Sequence, residues 1–199
     1  MTKNVFITKW SSLATGQDAD LSLVPPASRR RLSPLQKIYF SLSSRLATTE
    51  YATAVFATQN GEDSVTRRLV EDFNFDGSVS PQRFSASVYN AAPGLWSICS
   101  SNRSNYTAIA AGVDSLEAGL LESLTSQMPT LSVYAEETDG GCGVGVLFSS
   151  EGGGDEVEVN FVANPSAQTM SYDDFVKFLS ASCNEITGRY ITLKRILRG

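Results

Sequence analysis

The stretch NYTAIAAGVDSLEAGLL, residues 105–121, decides the fold. Its first seven residues are small or β-prone and read as a strand, Gly112 marks a sharp turn, and Leu116, Leu120, Leu121 and Leu124 recur at helical spacing. Asp114 followed by Glu117 has the D-x-x-E form of a capping box, which predicts where that helix starts. Upstream, SPQRFSASVYNAAPGLWSI (residues 80–98) reads as a helix; downstream, TLSVYAEE (residues 130–137) reads as a strand. This order sets the turn at the carboxyl end of a strand and the amino end of a helix, where α/β folds place much of their chemistry. The residue at its tip is Val113, which has no chemistry to offer.

Working outward, residues 5–13 read as a first strand, and a loop follows through Pro25 and Pro26. Ser33-Pro34 offers an N-cap and a first-turn proline to a helix whose inward face is Leu35, Ile38, Tyr39, Leu42 and Leu46. Residues 51–58 form a strand buried on both faces, and Asp63 opens a helix through Phe73 with Val65, Leu69 and Val70 inward. Within residues 80–98, Phe84, Val88, Ala91, Leu95 and Ile98 share one face, interrupted at Pro93-Gly94. Residues 143–148 and 157–162 read as two strands. The glycines 152–154 between them lack a following lysine and a helix, so a hairpin turn is expected rather than a phosphate cradle. Residues 171–186 predict an amphipathic helix with Phe175, Phe178 and Leu179 inward, and residues 190–197 a last strand. The alternation predicts an α/β fold: a mixed sheet covered by helices on both faces.

Composition narrows the chemistry. The 199 residues suit one domain, and 42% apolar with 19% charged residues is ordinary for a soluble globular chain. The net charge of −5 argues against nucleic acid as a partner. No run approaches a membrane span and the amino terminus does not read as a signal peptide, so the cytoplasm is the expected location. Cys99, Cys142 and Cys183 are odd in number and widely spaced, which predicts three buried small hydrophobes rather than disulfides or zinc. Histidine is absent, which removes Ser-His-Asp and Cys-His catalysis and histidine metal sites. No cofactor is expected.

Residues 80–137 resemble the N-terminal half of β-ketoacyl synthases, condensing enzymes with the thiolase-like fold. Ser80-Pro81, Asn90 with Gly94, Arg103 before a strand of small residues, residues 131–137 and the strand at 143–148 carry the likeness. It covers residues 58–162, is weaker over 1–57 and is poor beyond Val162. YNAAPGLWSI (residues 89–98) with AAGVDS (residues 110–115) also resembles the half-length, chain-length-factor-like proteins of aryl polyene pathways. The resemblance implies a thiolase-like half-fold, a single domain over residues 1–199 and a degenerate synthase. The nucleophile position falls on Val113, or on Ile109 in a shifted register, and neither is a cysteine. A decarboxylating condensation needs a thiolate and enolate-stabilising donors, so the family's reaction is not expected. With Val113 at a tight elbow, Gly112 is the alternative bearer of the strained turn.

The resemblance further implies that Asn105, Tyr106, Thr107, Ala108, Ile109, Ala110 and Ala111 form the strand paired across a dimer with a full-length ketosynthase; an internal strand of a monomer is the plain alternative. Thr58, Gln59, Arg83 and Phe84 match positions around the acyl tunnel, against the plain reading of Phe84 as core and Arg83 as solvated. Arg29, Arg30 and Arg31, and separately Lys194, Arg195 and Arg198, are either solvated faces or attractants for an acidic acyl carrier protein, which would act indirectly through the complex. The expected function is a non-catalytic, chain-length-factor-like subunit shaping the acyl tunnel of a ketosynthase. The rivals are an acyl-transferring enzyme with a cysteine nucleophile and a purely structural scaffold.

Overall fold

The computed structural model of the protein describes residues 2–46 and 52–197. The strands are β1 (Thr2–Leu13), β2 (Thr53–Ala57), β3 (Asn105–Ile109), β4 (Thr130–Glu136), β5 (Cys142–Ser149), β6 (Asp155–Phe161), β7 (Glu185–Thr187) and β8 (Ile191–Arg195). The helices are α1 (Pro26–Arg29), α2 (Pro34–Leu46), α3 (Asp63–Asp76), α4 (Pro81–Ala86), α5 (Ala91–Cys99), α6 (Ser115–Thr125) and α7 (Tyr172–Leu179). All eight strands join one mixed sheet in the order β3-β2-β4-β5-β1-β6-β8-β7. The neighbours β2–β3 and β2–β4 run parallel, and the other pairs are antiparallel.

Helices cover both faces, as the alternation of strands and helices predicts. On one face α6 and α7 bury Leu116, Leu120, Leu124, Phe175 and Phe178 against Val144, Val146 and Phe148 of β5. On the other, α2 and α5 bury Leu35, Tyr39, Leu42 and Trp96 against Phe56, Leu131 and Val133. β2 is buried at every residue, which suits its run of small and apolar side chains; Tyr51, predicted to begin it, lies outside the described residues. At the start of α2 the Ser33 hydroxyl accepts from the Gln36 amide at 3.0 Å, and the Gln36 carboxamide accepts from the Ser33 amide at 3.3 Å. This reciprocal cap strengthens the predicted start.

Several expectations are corrected. In α3 only Leu69 is buried; Val65 is half-buried and Val70 exposed, because α3 lies outside the sheet and packs against α4. The helix predicted over residues 80–98 is two helices, and its inward face is rotated from the predicted one: Ala92 and Trp96 are buried and Leu95 is half-buried against the core, while Phe84, Val88 and Ile98 are exposed. The helix predicted over 171–186 stops at Leu179, and Ile186 belongs to β7. Arg195 is buried, donating to the Phe178 and Leu179 carbonyls and pairing with Asp155, so it adds nothing to a basic surface; Arg198 lies outside the described residues. The three cysteines are free and half-buried rather than buried.

Residues 150–154 are not a hairpin. β5 and β6 flank β1 on opposite edges, and the chain crosses over β1 between them. The crossing lies over the register shift between Ile7 and Lys9, so close that a Cβ at Gly154 would stand 2.0 Å from the Ile7 carbonyl oxygen. The glycine run therefore serves close backbone approach.

Candidate functional site: a strand-edge elbow and its carboxylate supports

β3 is the terminal strand of the sheet, paired with β2 on one side only. Asn105 and Tyr106 are exposed, Thr107, Ala108 and Ile109 half-buried, and Ala110 and Ala111 exposed, so the strand is an edge and not the internal strand of the plain alternative. It ends at Ile109, two residues short of the predicted 105–111. The Ile109 carbonyl accepts from the Thr58 amide at 3.1 Å, which ties the end of β3 to the end of β2.

The turn into α6 is carried by Gly112, with φ +59°; Val113 avoids the left-handed region that β-branched side chains resist. The Ser115 hydroxyl is fully engaged, accepting from the Ala111 amide at 2.8 Å and donating to the Gly112 carbonyl at 2.7 Å. Val113 stands outward, 59% exposed, with its carbonyl accepting from Thr169 at 3.3 Å.

The expected capping box does not form. Asp114 holds the Arg189 guanidinium at 2.9 and 3.0 Å, and Glu117 is fully buried. Glu117 accepts from the backbone amides of Arg189 and Ile191, each at 2.9 Å, and of Tyr190. Tertiary donors win because a buried carboxylate needs several hydrogen bonds, and three converging amides supply them. The elbow is thereby fastened to residues 188–191.

At the end of β4, Glu136 and Glu137 do related work. The Glu136 carboxylate accepts from the Thr58 hydroxyl at 3.1 Å, from the Gln59 amide, and from the Asn60 amide and side chain at 3.3 and 3.2 Å. Glu137 joins the first turns of α2 and α3, accepting from the Leu35 amide at 3.3 Å, the Ser64 amide, and the Ser64 hydroxyl at 3.0 Å. Beside them Glu62, 2% exposed, accepts from the Gln36 side chain at 2.8 Å, and burial pushes its carboxyl above the ordinary range. Sequence reading gave Glu117 a capping role and missed the roles of Arg189, Glu136 and Glu137; the two adjacent acids at the end of a strand were the local signal for Glu136 and Glu137.

The predicted tunnel residues do not gather into one site. Thr58 is buried beneath Glu136 and Gln59 half-buried beside it. Arg83 pairs with Asp72 and lines a cleft that contains neither Thr58, Gln59 nor Phe84. Phe84 is 60% exposed on α4, not core. Ten of the thirteen exposed large apolar side chains among the described residues fall between Val70 and Val113. Their elements form a chain of contacts, α3 on α4, α4 on α5 and α5 on β3.

The described residues hold no cluster of three or more His, Cys, Asp or Glu that could bind a metal, and no helix long and apolar enough to cross a membrane. Burial pushes the Cys99 thiol up, away from the thiolate that a nucleophile needs.

Comparison with known proteins gives a fold relative among solved structures and a family. A chain in the structure of a ketosynthase (ApeO) in complex with its chain length factor (ApeC) from Xenorhabdus doucetiae superposes with a TM-score of 0.79. It is 18% identical, and the match covers 98% of this chain and 99% of that one, so it speaks for a shared fold, the thiolase-like arrangement expected. No curated protein matches the sequence. The profile described as "Beta-ketoacyl synthase, N-terminal domain" matches residues 8–138, about two thirds of the chain, and this protein belongs to that family.

Proposed function

We propose that residues 1–199 act as one domain, a non-catalytic, chain-length-factor-like subunit. It pairs with a full-length ketosynthase in the cytoplasm during type II polyketide elongation of the aryl polyene kind, or in fatty-acid-like elongation. The observation that carries this reading is the edge. β3 ends the sheet without a second partner, and exposed apolar side chains continue from it across α5, α4 and α3. An uncharged edge strand near elements that expose many apolar side chains is aggregation-prone unless another chain covers it. The fold it shares with a chain from a ketosynthase–chain length factor complex agrees with that partner class.

In this reading the partner supplies the thiolate and the condensation, and Val113 stands where the resemblance puts the nucleophile, with Ile109 the less favoured position. Thr58, Gln59, Arg83 and Phe84 contribute to the far end of the acyl space only once the partner is bound. Phe84 is the best placed of them to reach across. An acyl carrier protein engages the complex rather than this chain alone. Co-expression with candidate ketosynthases followed by size-exclusion chromatography tests the proposal: a co-eluting complex is expected, and failure to form one with any of them would overturn it.

A further inference from the structure

We propose that the cleft between the amino ends of α2 and α3 and the helix α4 binds a small phosphate monoester carrying an apolar stem. The cleft has a volume of about 610 Å3, a size that suits a small molecule. Three arginines line it, Arg31, Arg68 and Arg83, with apolar side chains from Leu32, Val65 and Ala86, and no carboxylate is among its lining residues. In a chain of net charge −5, three cations around one cleft are a local inversion of sign.

The arginines are arranged to take an anion. Asp72, outside the cleft lining, pairs with Arg68 Nε at 3.3 Å and with Arg83 Nη1, so one carboxylate orients two guanidiniums. Each guanidinium has five N–H donors in a planar fork, and each commits one nitrogen to Asp72. Among the described residues the Arg31 side chain makes no ion pair or hydrogen bond, and it is exposed. Asp72 thus pairs with two of the three arginines, and Glu62 and Glu137, which accept from the lining residues Gln36 and Ser64, are the other acids bonded at the cleft. Ser33 and Ser64, at the amino ends of α2 and α3, also line the cleft. Their first-turn amides at Leu35 and Ser64 are already taken by Glu137, so the ligand is held by guanidiniums and not by amides. A phosphate monoester brings close to two charges and three acceptor oxygens to three forks, where a carboxylate brings one charge and two oxygens. Its stem lies on Leu32, Val65 and Ala86.

The proposal does not depend on the ketosynthase reading, and the experiment uses the chain by itself. Phenyl phosphate, inorganic phosphate and benzoate are titrated against the full protein at fixed ionic strength by calorimetry. Phenyl phosphate is expected to bind saturably and more tightly than either of the others. Its affinity is expected to fall by about tenfold or more in Arg31→Gln/Arg68→Gln. Arg31→Gln alone removes an exposed, unpaired side chain and serves if the double variant fails to fold; it should weaken phenyl phosphate more than benzoate. Absence of saturable phenyl phosphate binding, or affinities unchanged in both variants, would overturn the proposal.

Discussion

At one end of the sheet β3 presents Asn105, Tyr106, Thr107, Ala108 and Ile109, five residues without a charge; at the other, β7 presents Glu185, Ile186 and Thr187. Short length and charge are common ways to blunt a sheet edge, and β7 uses both, with an exposed glutamate at the end of a three-residue strand. β3 uses neither. The surroundings follow the same division: beyond residue 113 the described exposed large apolar side chains are Val162, Tyr190 and Leu197, against ten from Val70 to Val113. The β7 end is blunted within the chain, and the β3 end, among the described residues, is not.

The largest effect should come from beneath the open end. Trp96 is 1% exposed and packs on Phe56 with ring centroids 5.0 Å apart, whereas Ile98 on the same helix is 75% exposed. Trp96→Ala should lower unfolding free energy in denaturant melts by about 3–5 kcal/mol, and Ile98→Ala by no more than about 0.5 kcal/mol. Comparable losses at both positions would mean that α5 presents a different face. The next contrast concerns the edges. Tyr106→Lys with Ile98→Lys should weaken ketosynthase binding by about 2 kcal/mol or more, while Thr187→Lys on β7 leaves it unchanged in the same pull-down titration. Equal sensitivity of both edges would erase the distinction.

The elbow gives an intermediate effect. Glu117→Gln keeps shape and one accepting oxygen but sets an NH2 group against at least one of the three backbone amides, and should cost about 1–3 kcal/mol of stability. Hydrogen exchange at Arg189, Tyr190 and Ile191 should rise first, and protection as in the parent would show that the carboxylate is not their anchor. Phe84→Ala, a change on an exposed side chain, should leave stability within about 0.5 kcal/mol. In a reconstituted complex it should shift products toward longer chains by mass spectrometry, and an unchanged product distribution would return Phe84 to plain surface.

Local rules carried the sequence reading a long way: the strands other than β7, and α2 and α6, follow from periodicity and propensity, and α2 also from the cap at Ser33. It failed where apolar pattern and burial part company. In the sequence pattern Phe84, Val88 and Ile98 fall on one helical face, but the chain breaks into α4 and α5 between them, and a pattern cannot say whether such side chains meet this chain's core or stay exposed. The crossover at residues 150–154 was invisible because β1, which separates β5 from β6, is more than a hundred residues away in sequence. Asp114 and Glu117 look like a capping pair until residues 188–191 arrive with better donors. The elbow was half legible: that Val113 would resist a left-handed turn follows from its branching, and Gly112 takes that turn.

The smallest predicted effect tests whether the carboxylates under the open end act alike. Glu136 and Glu137 each accept from several donors, whereas the Glu62 carboxylate has Gln36 at 2.8 Å and Ser33 to set against its burial and the nearby charge of Glu137. Burial dominates and raises its pKa above the ordinary 4.5, so over the interval above 4.5 the folded protein keeps a proton that the unfolded chain has released. Stability from this group is therefore fully present below 4.5 and is lost as pH rises through the folded value. Glu62→Gln preserves an acceptor for Gln36 and does not titrate, so its Tm should exceed the parent's at pH 7–8, with the gap closing as the pH is lowered toward 4.5. A gap that stays constant, or widens on acidification, would mean that Glu62 is held ionised in the folded protein and belongs with Glu136 and Glu137 as a loop anchor.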